Sequence, residues 1–179
     1  MKKLLLILLC LPIIGFGQNL GKTKKIYKNG VTLSFNEPKG WEKSTESFAV
    51  DQNNLAVSYL KRNIGAMFQI YIANAPFKIS KKEAKELYFD KDFLEGFISG
   101  FEKNNRLEII SVEEANIDDY PAIEVLSYGM SKTQKQVQWF IFYKDKLINV
   151  QGVSLSKEFN ELYSYFIELK EKVYFRELQ

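Results

Sequence analysis

The chain has 179 residues, 46% of them hydrophobic, with one cysteine, no histidine and a formal net charge of +3. Without histidine, and with its single cysteine at position 10, the chain cannot build a Ser-His-Asp triad or a zinc site of the usual nitrogen and sulfur ligands. The near balance of 25 basic and 22 acidic residues gives no footprint for nucleic-acid binding, so we expect no nucleic-acid partner.

The first seventeen residues predict a secretory signal peptide. Two lysines precede an apolar run over residues 4–14, and the small residues Gly15 and Gly17 flank the position before the expected cleavage. The run is too short for a membrane span, which needs about 20 apolar residues. We therefore expect an exported protein, periplasmic or secreted, without a membrane-spanning helix.

Cleavage after residue 17 would remove the sole cysteine, Cys10, and two lysines, leaving 23 basic and 22 acidic residues and a net charge of +1. Without a disulfide, the stability of the mature chain must come from its apolar core. A lipid anchor at Cys10 is a competing interpretation, but Leu9 stands where a lipoprotein signal has a small residue. Residues 18–24 are polar and predict a flexible lead-in to one domain over residues 25–179.

The first part of this domain predicts antiparallel strands. Short apolar alternations on either side of Asn29 and Gly30 predict a hairpin, because this dipeptide favours the tight turn between paired strands. Further strands are predicted at residues 47–51, 55–59 and 66–73, with a turn at residues 52–54.

Two helices are predicted in the middle of the chain. Ser80 and Glu83 have the spacing of a capping box, which predicts a helix that begins just after Ser80. From Asp90 onward, apolar residues at helical spacing predict a second helix. Within its apolar stripe, Gly96 and Gly100 are expected to allow close approach to a sheet.

Strands return in the last part of the chain and are followed by one more helix. Alternating patterns predict strands at residues 107–117, 122–130, 136–143 and 147–153. Ser156 is expected to cap a terminal helix whose apolar stripe extends to Val173. Strands, helices, strands and a helix in this order predict an α+β fold, with a central antiparallel β-sheet and helices packed on it.

With these motifs placed, the chain resembles the PsbP/Mog1/DcrB-like superfamily. The similarity rests on the segment VTLSFNEPKGW over residues 31–41, on IDDYPA over residues 117–122, and on the closing strand pair and helix. The resemblance implies a PsbP/Mog1-like α/β/α sandwich over nearly the whole mature chain. It also implies an accessory or binding role, and it carries over no binding residues and no common reaction.

Five aromatic side chains on predicted strands and turns are the candidate surface for a ligand or a partner: Trp41, Tyr59, Tyr71, Tyr128 and Tyr143. Core packing is the alternative for each, since the aromatic residues follow the strand and helix periods. The function that we expect is a non-enzymatic accessory or binding protein of the cell envelope. It would engage an envelope protein or a small apolar ligand, and it would need no cofactor.

A different functional class stays open, namely an exported hydrolase that uses carboxylates or a hard metal ion. The densest carboxylate group comprises Glu113, Glu114, Asp118, Asp119 and Glu124. Calcium takes six to eight oxygen ligands, but no calcium-loop motif is present, and two aspartates before Tyr-Pro are well explained by turn formation. The sequence therefore assigns no catalytic and no metal-binding residue.

Overall fold

The computed structural model of the chain describes residues 20–45, 52–105, 107–129 and 131–176. Within these ranges nine strands and three α-helices follow one another as strands, two helices, strands, a helix and a last short strand. The predicted signal peptide and the strand predicted at residues 47–51 lie outside the described residues. No helix in the described ranges is long and apolar enough to cross a membrane.

The strands are β1 Leu20–Lys28, β2 Val31–Pro38, β3 Glu42–Lys43, β4 Leu55–Lys61, β5 Ala66–Ile79, β6 Glu108–Ile117, β7 Tyr120–Tyr128, β8 Gln134–Leu155 and β9 Tyr174–Arg176. The helices are α1 Lys81–Phe89, α2 Lys91–Asn105 and α3 Ser156–Glu171. Single 3₁₀ turns at Gln52–Asn54 and Arg62–Ile64 flank β4.

A small antiparallel sheet has the strand order β1-β2-β9. Lys28 pairs with Val31, and between them Asn29 and Gly30 have φ angles of 50° and 82°. Both residues therefore lie in the left-handed region that a two-residue hairpin turn requires, which confirms the predicted hairpin. Strand β1 begins at Leu20, so most of the expected flexible lead-in is instead an edge strand. Its backbone pairs with β2, and Lys22, Lys24 and Lys25 remain exposed to solvent, whereas Lys28 is half-buried.

The larger antiparallel sheet has the order β3-β4-β5-β8-β7-β6. Its central element, β8, turns back on itself at Lys144, whose φ is 59°. The part before this turn pairs with β7 and the part after it pairs with β5. The two parts also contact each other, since Gln138 Nε2 donates to Gln151 Oε1 at 3.4 Å. The two strands predicted from the sequence are thus the two parts of β8.

One face of the larger sheet packs against α3 and the small sheet. Phe68 and Trp139 from the sheet, Phe159 and Phe166 from α3 and Phe35 from β2 are all fully buried in one apolar cluster. This cluster is the main core of the domain.

The two ends of α3 differ from the prediction. The N-cap position is occupied by Leu155, which makes no side-chain capping hydrogen bond, and Ser156 is the first residue of the helix. The Ser156 hydroxyl donates to the Lys132 carbonyl at 2.6 Å instead of capping. The helix ends at Glu171, before the buried Val173, and the chain continues into β9, which pairs with β2. Val173 is therefore part of the core without being part of the helix.

The opposite face of the larger sheet packs against α1 and α2, where Ala84 and Tyr88 meet Phe140 and Phe142. The capping box at α1 is confirmed: Glu83 N donates to Ser80 Oγ at 3.2 Å, and Ser80 N donates to a Glu83 carboxylate oxygen at 2.8 Å. With helices on both faces of a central sheet, the structure confirms the predicted α+β sandwich.

The expected role of the two glycines in α2 is wrong. A Cβ atom added at Gly96 or at Gly100 would meet no described atom within 4 Å, so neither glycine brings the helix close to the sheet. The helix instead packs through aromatic rings: Phe97 and Phe101 stack on each other, and each meets Phe140 of the sheet edge-on at 5.2 Å.

Candidate functional site

A cleft of about 720 Å³ opens between the β1–β2 hairpin and the β3–β4 edge of the larger sheet. Its floor is apolar and consists of Phe35, Val57 and Tyr59, which are each less than one tenth exposed. Ile26 and the half-buried Trp41 form its walls. Because these residues come from both sheets, the cleft exists only in the folded domain.

Trp41 follows a turn that is fixed onto α3. The backbone amide of Trp41 donates to the Pro38 carbonyl at 3.3 Å, and Gly40 has a φ of 77°, which favours glycine. The backbone amide of Lys39 donates to the Tyr165 hydroxyl at 3.2 Å, and the Trp41 and Tyr165 rings lie 6.0 Å apart. The indole is therefore positioned by α3 before any ligand arrives.

Tyr59 contributes both a ring and a hydrogen-bond donor to the floor. Its ring meets Phe35 edge-on at 6.3 Å, and its hydroxyl donates to Glu37 Oε2 at 3.3 Å. Burial raises the pKa of Tyr59 to about 12, and the neighbouring Glu37 carboxylate adds to the increase. At neutral pH the hydroxyl is therefore protonated, and its one proton is donated to Glu37.

The rim of the cleft is strongly basic. Five exposed lysines line it: Lys22, Lys24, Lys25, Lys39 and Lys43. Among the described lining residues Glu37 is the one carboxylate, and it already contacts Lys24 Nζ at 3.5 Å. The cleft thus combines a positive entrance with an apolar floor.

The five aromatic candidates lie in different places. Trp41 and Tyr59 line this cleft together. Tyr71 lies on the face of the sheet opposite α3, where its hydroxyl donates to Gln69 Oε1 at 2.8 Å. Tyr143 is buried in the main core and stacks on Phe175 at 4.7 Å, and Tyr128 lies at the end of β7, below the ammonium groups of two lysines.

The acidic candidates do not form one cluster: Glu113 pairs with Glu124 across β6 and β7, whereas Glu114 and Asp119 line a different cleft. Asp118 Oδ2 accepts a hydrogen bond from the backbone amide of Phe175 at 3.1 Å, which links the β6–β7 turn to β9. Both oxygens of Glu124 accept hydrogen bonds, from Trp139 Nε1 and from the Tyr163 hydroxyl. Across the described ranges, no three histidine, cysteine, aspartate or glutamate side chains are grouped as a metal site would require.

A second cleft, of about 550 Å³, lies between α1 and the β6–β7 hairpin. Three α1 lysines, Lys81, Lys82 and Lys85, face Glu114 and Asp119 across it. Since both signs of charge line this cleft, it has no strong preference for the charge of a ligand. The cleft beside Trp41 is therefore the better candidate.

Sequence reasoning missed the residues that complete the Trp41 cleft, above all Phe35, Lys39 and Lys43. Their separation along the chain is short, but their convergence depends on β3 pairing with the edge of β4. The available signal was the combination of a basic strand, residues 22–25, with the nearby turn that ends at Trp41.

No model of a known protein family matches the sequence, and no curated protein matches it. Solved structures do match the fold. The solution structure of cyanobacterial PsbP (CyanoP) from Synechocystis sp. PCC 6803 has a TM-score of 0.61 at 14% identity, covering 90% of this chain and 96% of that one. LpqN, involved in cell envelope biogenesis of Mycobacterium tuberculosis, has a TM-score of 0.57 at 12% identity, covering 87% and 91%. These similarities confirm the PsbP/Mog1-like fold.

Proposed function

We propose that this chain, which has the PsbP/Mog1-like fold, is a non-enzymatic accessory protein of the cell envelope that binds a small ligand beside Trp41. One observation carries the proposal: Trp41 and Tyr59, from different segments, converge on one open cleft with an apolar floor. The volume, about 720 Å³, lies within the range of roughly 300–1,000 Å³ that is usual for small-molecule sites.

The chemistry of the lining supports binding rather than catalysis. Acid/base hydrolysis by paired carboxylates needs two carboxyl groups with different pKa values on either side of the substrate. Among the described residues of the cleft, Glu37 alone carries a carboxylate, and it contacts Lys24 and Tyr59. Indole and phenol rings on a rigid support instead suit recognition of an apolar ligand.

An envelope location is part of the same proposal. The predicted signal peptide supports export, and LpqN, which shares the fold, is involved in cell envelope biogenesis. Periplasmic and secreted destinations are both compatible with a folded domain that contains no disulfide.

The two tryptophans of the chain make the proposal directly testable. Trp41 lines the cleft, whereas Trp139 is fully buried in the core, so a ligand in the cleft should change the fluorescence of Trp41 alone. We would titrate the protein, purified after export, with the neutral apolar probe N-phenyl-1-naphthylamine and record the emission of the probe itself, which can be measured in the same way for a variant that lacks Trp41. We expect saturable binding at one site.

A pair of variants makes this titration specific. Trp41→Ala should weaken binding of the probe about tenfold or more. Tyr27→Ala is the matched control, because Tyr27 is an exposed aromatic residue of β1 that does not line the cleft, and it should bind like the parent. Unsaturable binding, or equal affinity of Trp41→Ala and the parent, would contradict the proposal.

A further inference from the structure

We infer that the ligand of the Trp41 cleft is an anionic amphiphile, with its apolar part on the cleft floor and its acidic head group among the rim lysines. The inference rests on the function proposed above and specifies the class of ligand. It follows from the charge of the rim and from the separation of polar and apolar surface within the cleft.

The charge of the lining selects for an anion. Its five lysines come from three segments, namely β1, the turn before Trp41 and β3, so no single run of sequence accounts for them. Glu37 is the one carboxylate among the described lining residues, and it forms an ion pair with Lys24, whose Nζ lies 3.5 Å from Glu37 Oε2. A concave surface of one sign attracts ligands of the opposite sign and raises their local concentration.

The distribution of polarity selects for an amphiphile. Phe35, Val57 and Tyr59 at the floor are almost fully buried. The apolar surface that a ligand can contact therefore comes from the partly exposed apolar residues of the lining, Leu20, Ile26, Trp41 and Ala56, whereas the five lysines at the rim are exposed. A small hydrophilic anion would make no favourable contact with the apolar surface of the cleft, and a neutral apolar molecule would make no ionic contact with the lysines. Lysine stems also cover apolar surface while their ammonium groups stay in water, which suits a head group at the rim.

The second cleft provides a natural comparison. Its lysines, Lys81, Lys82 and Lys85, are also exposed, but Glu114 and Asp119 lie in the same cleft. Lysines alone are therefore not what distinguishes the Trp41 cleft. The distinguishing property is an excess of positive charge above a floor of buried aromatic and aliphatic side chains.

The test compares two short-chain lipids with identical tails. Dihexanoyl phosphatidylglycerol is anionic and dihexanoyl phosphatidylcholine is zwitterionic, and each is added as monomers while Trp41 fluorescence is recorded. We expect the anionic lipid to bind about tenfold more tightly at low ionic strength. The difference should shrink as salt is added, because the Debye length falls to about 8 Å at physiological ionic strength.

Two sets of substitutions locate the preference. The triple variant Lys22→Gln, Lys25→Gln, Lys43→Gln should bind the anionic lipid about as weakly as the zwitterionic one. The control variant Lys81→Gln, Lys82→Gln, Lys85→Gln removes the same charge from the second cleft and should keep the parent's preference. Both variants change exposed residues, so both should fold.

The outcomes separate this inference from the proposed function. Equal affinity for the two lipids would overturn the anionic inference and leave the cleft as a site for apolar ligands. If inorganic phosphate alone competed as strongly as the anionic lipid, the amphiphile would be overturned in favour of a simple anion site. The absence of saturable binding by either lipid and by the neutral probe would overturn both proposals.

Discussion

Glu124 and Trp139 face each other on neighbouring strands of the larger sheet, and Trp139 Nε1 donates to Glu124 Oε2 at 2.6 Å. The other carboxylate oxygen of Glu124 accepts from the Tyr163 hydroxyl of α3, also at 2.6 Å. One carboxylate therefore satisfies two donors in the main core and links the sheet to α3. Glu124, which the sequence placed in a possible acidic site, is therefore a hydrogen-bond acceptor that stabilises the core.

Replacing Glu124 tests this role. Glu124→Ala leaves the indole N–H of the fully buried Trp139 without its acceptor, so the free energy of unfolding should fall by about 2 kcal/mol. Glu124→Gln should lose less, because the amide oxygen can accept from Trp139 while the amide NH₂ donates to Tyr163. Urea unfolding of the two variants measures the difference. Equal stability of Glu124→Ala and the parent would show that the carboxylate does not support the core.

The stability of the domain should decrease at alkaline pH. Burial raises the pKa of Tyr59 and of Tyr165 to about 12, and it also raises the pKa of Tyr88 and Tyr163. The folded protein therefore holds these protons more tightly than the unfolded chain, where a tyrosine has a pKa of about 10. The contribution of these protonated tyrosines to the free energy of unfolding is fully present below pH 10. It is lost as the pH rises from 10 to about 12.

Urea unfolding across this pH interval measures the loss, and tyrosinate absorbance reports the deprotonation. The double variant Tyr59→Phe, Tyr165→Phe should lose less stability than the parent over the same interval, since neither phenylalanine titrates. A midpoint that is constant up to pH 12 would contradict the prediction.

Two glycines should respond to alanine in opposite directions. A Cβ at Gly152 would lie 2.4 Å from the ring of the fully buried Phe166, so Gly152→Ala forces α3 to move and should cost about 1–3 kcal/mol. At the exposed helical position Gly96, a Cβ meets no described atom within 4 Å, and Gly96→Ala should stabilise by about 0.5–1 kcal/mol. Thermal unfolding of both variants measures whether each substitution raises or lowers the stability of the domain.

A row of glutamines crosses the face of the sheet opposite α3. Gln151 Nε2 donates to Gln136 Oε1 at 2.9 Å, Gln138 Nε2 donates to Gln151 Oε1 at 3.4 Å, and all three side chains are buried. The side-chain oxygen of Gln138, Oε1, has no hydrogen-bond partner within the part of the chain that the structure describes. Gln151 is thus the middle residue of a buried polar chain.

Removal of the middle residue should cost more than removal of the end. Gln151→Leu deprives both neighbours of a partner and should lower the free energy of unfolding by about 2–4 kcal/mol. Gln138→Leu should cost less, because it also removes the acceptor without a described partner. Chemical denaturation gives the order of the two variants, and the reverse order would refute the role of the glutamine row.

The sequence was sufficient to predict a local structure where the groups that interact in it are close together along the chain. The turn at Asn29 and Gly30 and the capping box of Ser80 and Glu83 each involve atoms only a few residues apart, and both are confirmed. The expectation for Ser156 failed because its hydroxyl bonds to the carbonyl of Lys132, a contact that exists only after the chain has folded back.

The cleft was only partly predictable for the same reason. Strand alternation shows that Tyr59 and Tyr143 each face one side of a sheet, but not which side another element covers. In the structure Tyr143 meets Phe175 of β9, a strand of three residues whose sequence gave no periodic pattern. The lysine-rich rim required the pairing of β3 with β4, which two residues of β3 cannot specify by pattern.

The pairing of β5 with the second part of β8 has a consequence for the order of folding. It joins Met67 to Val153 and Asn74 to Lys146, so the middle of the larger sheet closes only through contacts between distant parts of the chain. Closing such contacts costs loop-closure entropy before the contacts stabilise the fold, and this slows folding. A chain emerging from its amino end could therefore form local hairpins but not the sheet. The carboxyl-terminal third therefore supplies the partner strand without which the larger sheet stays in two separate pieces.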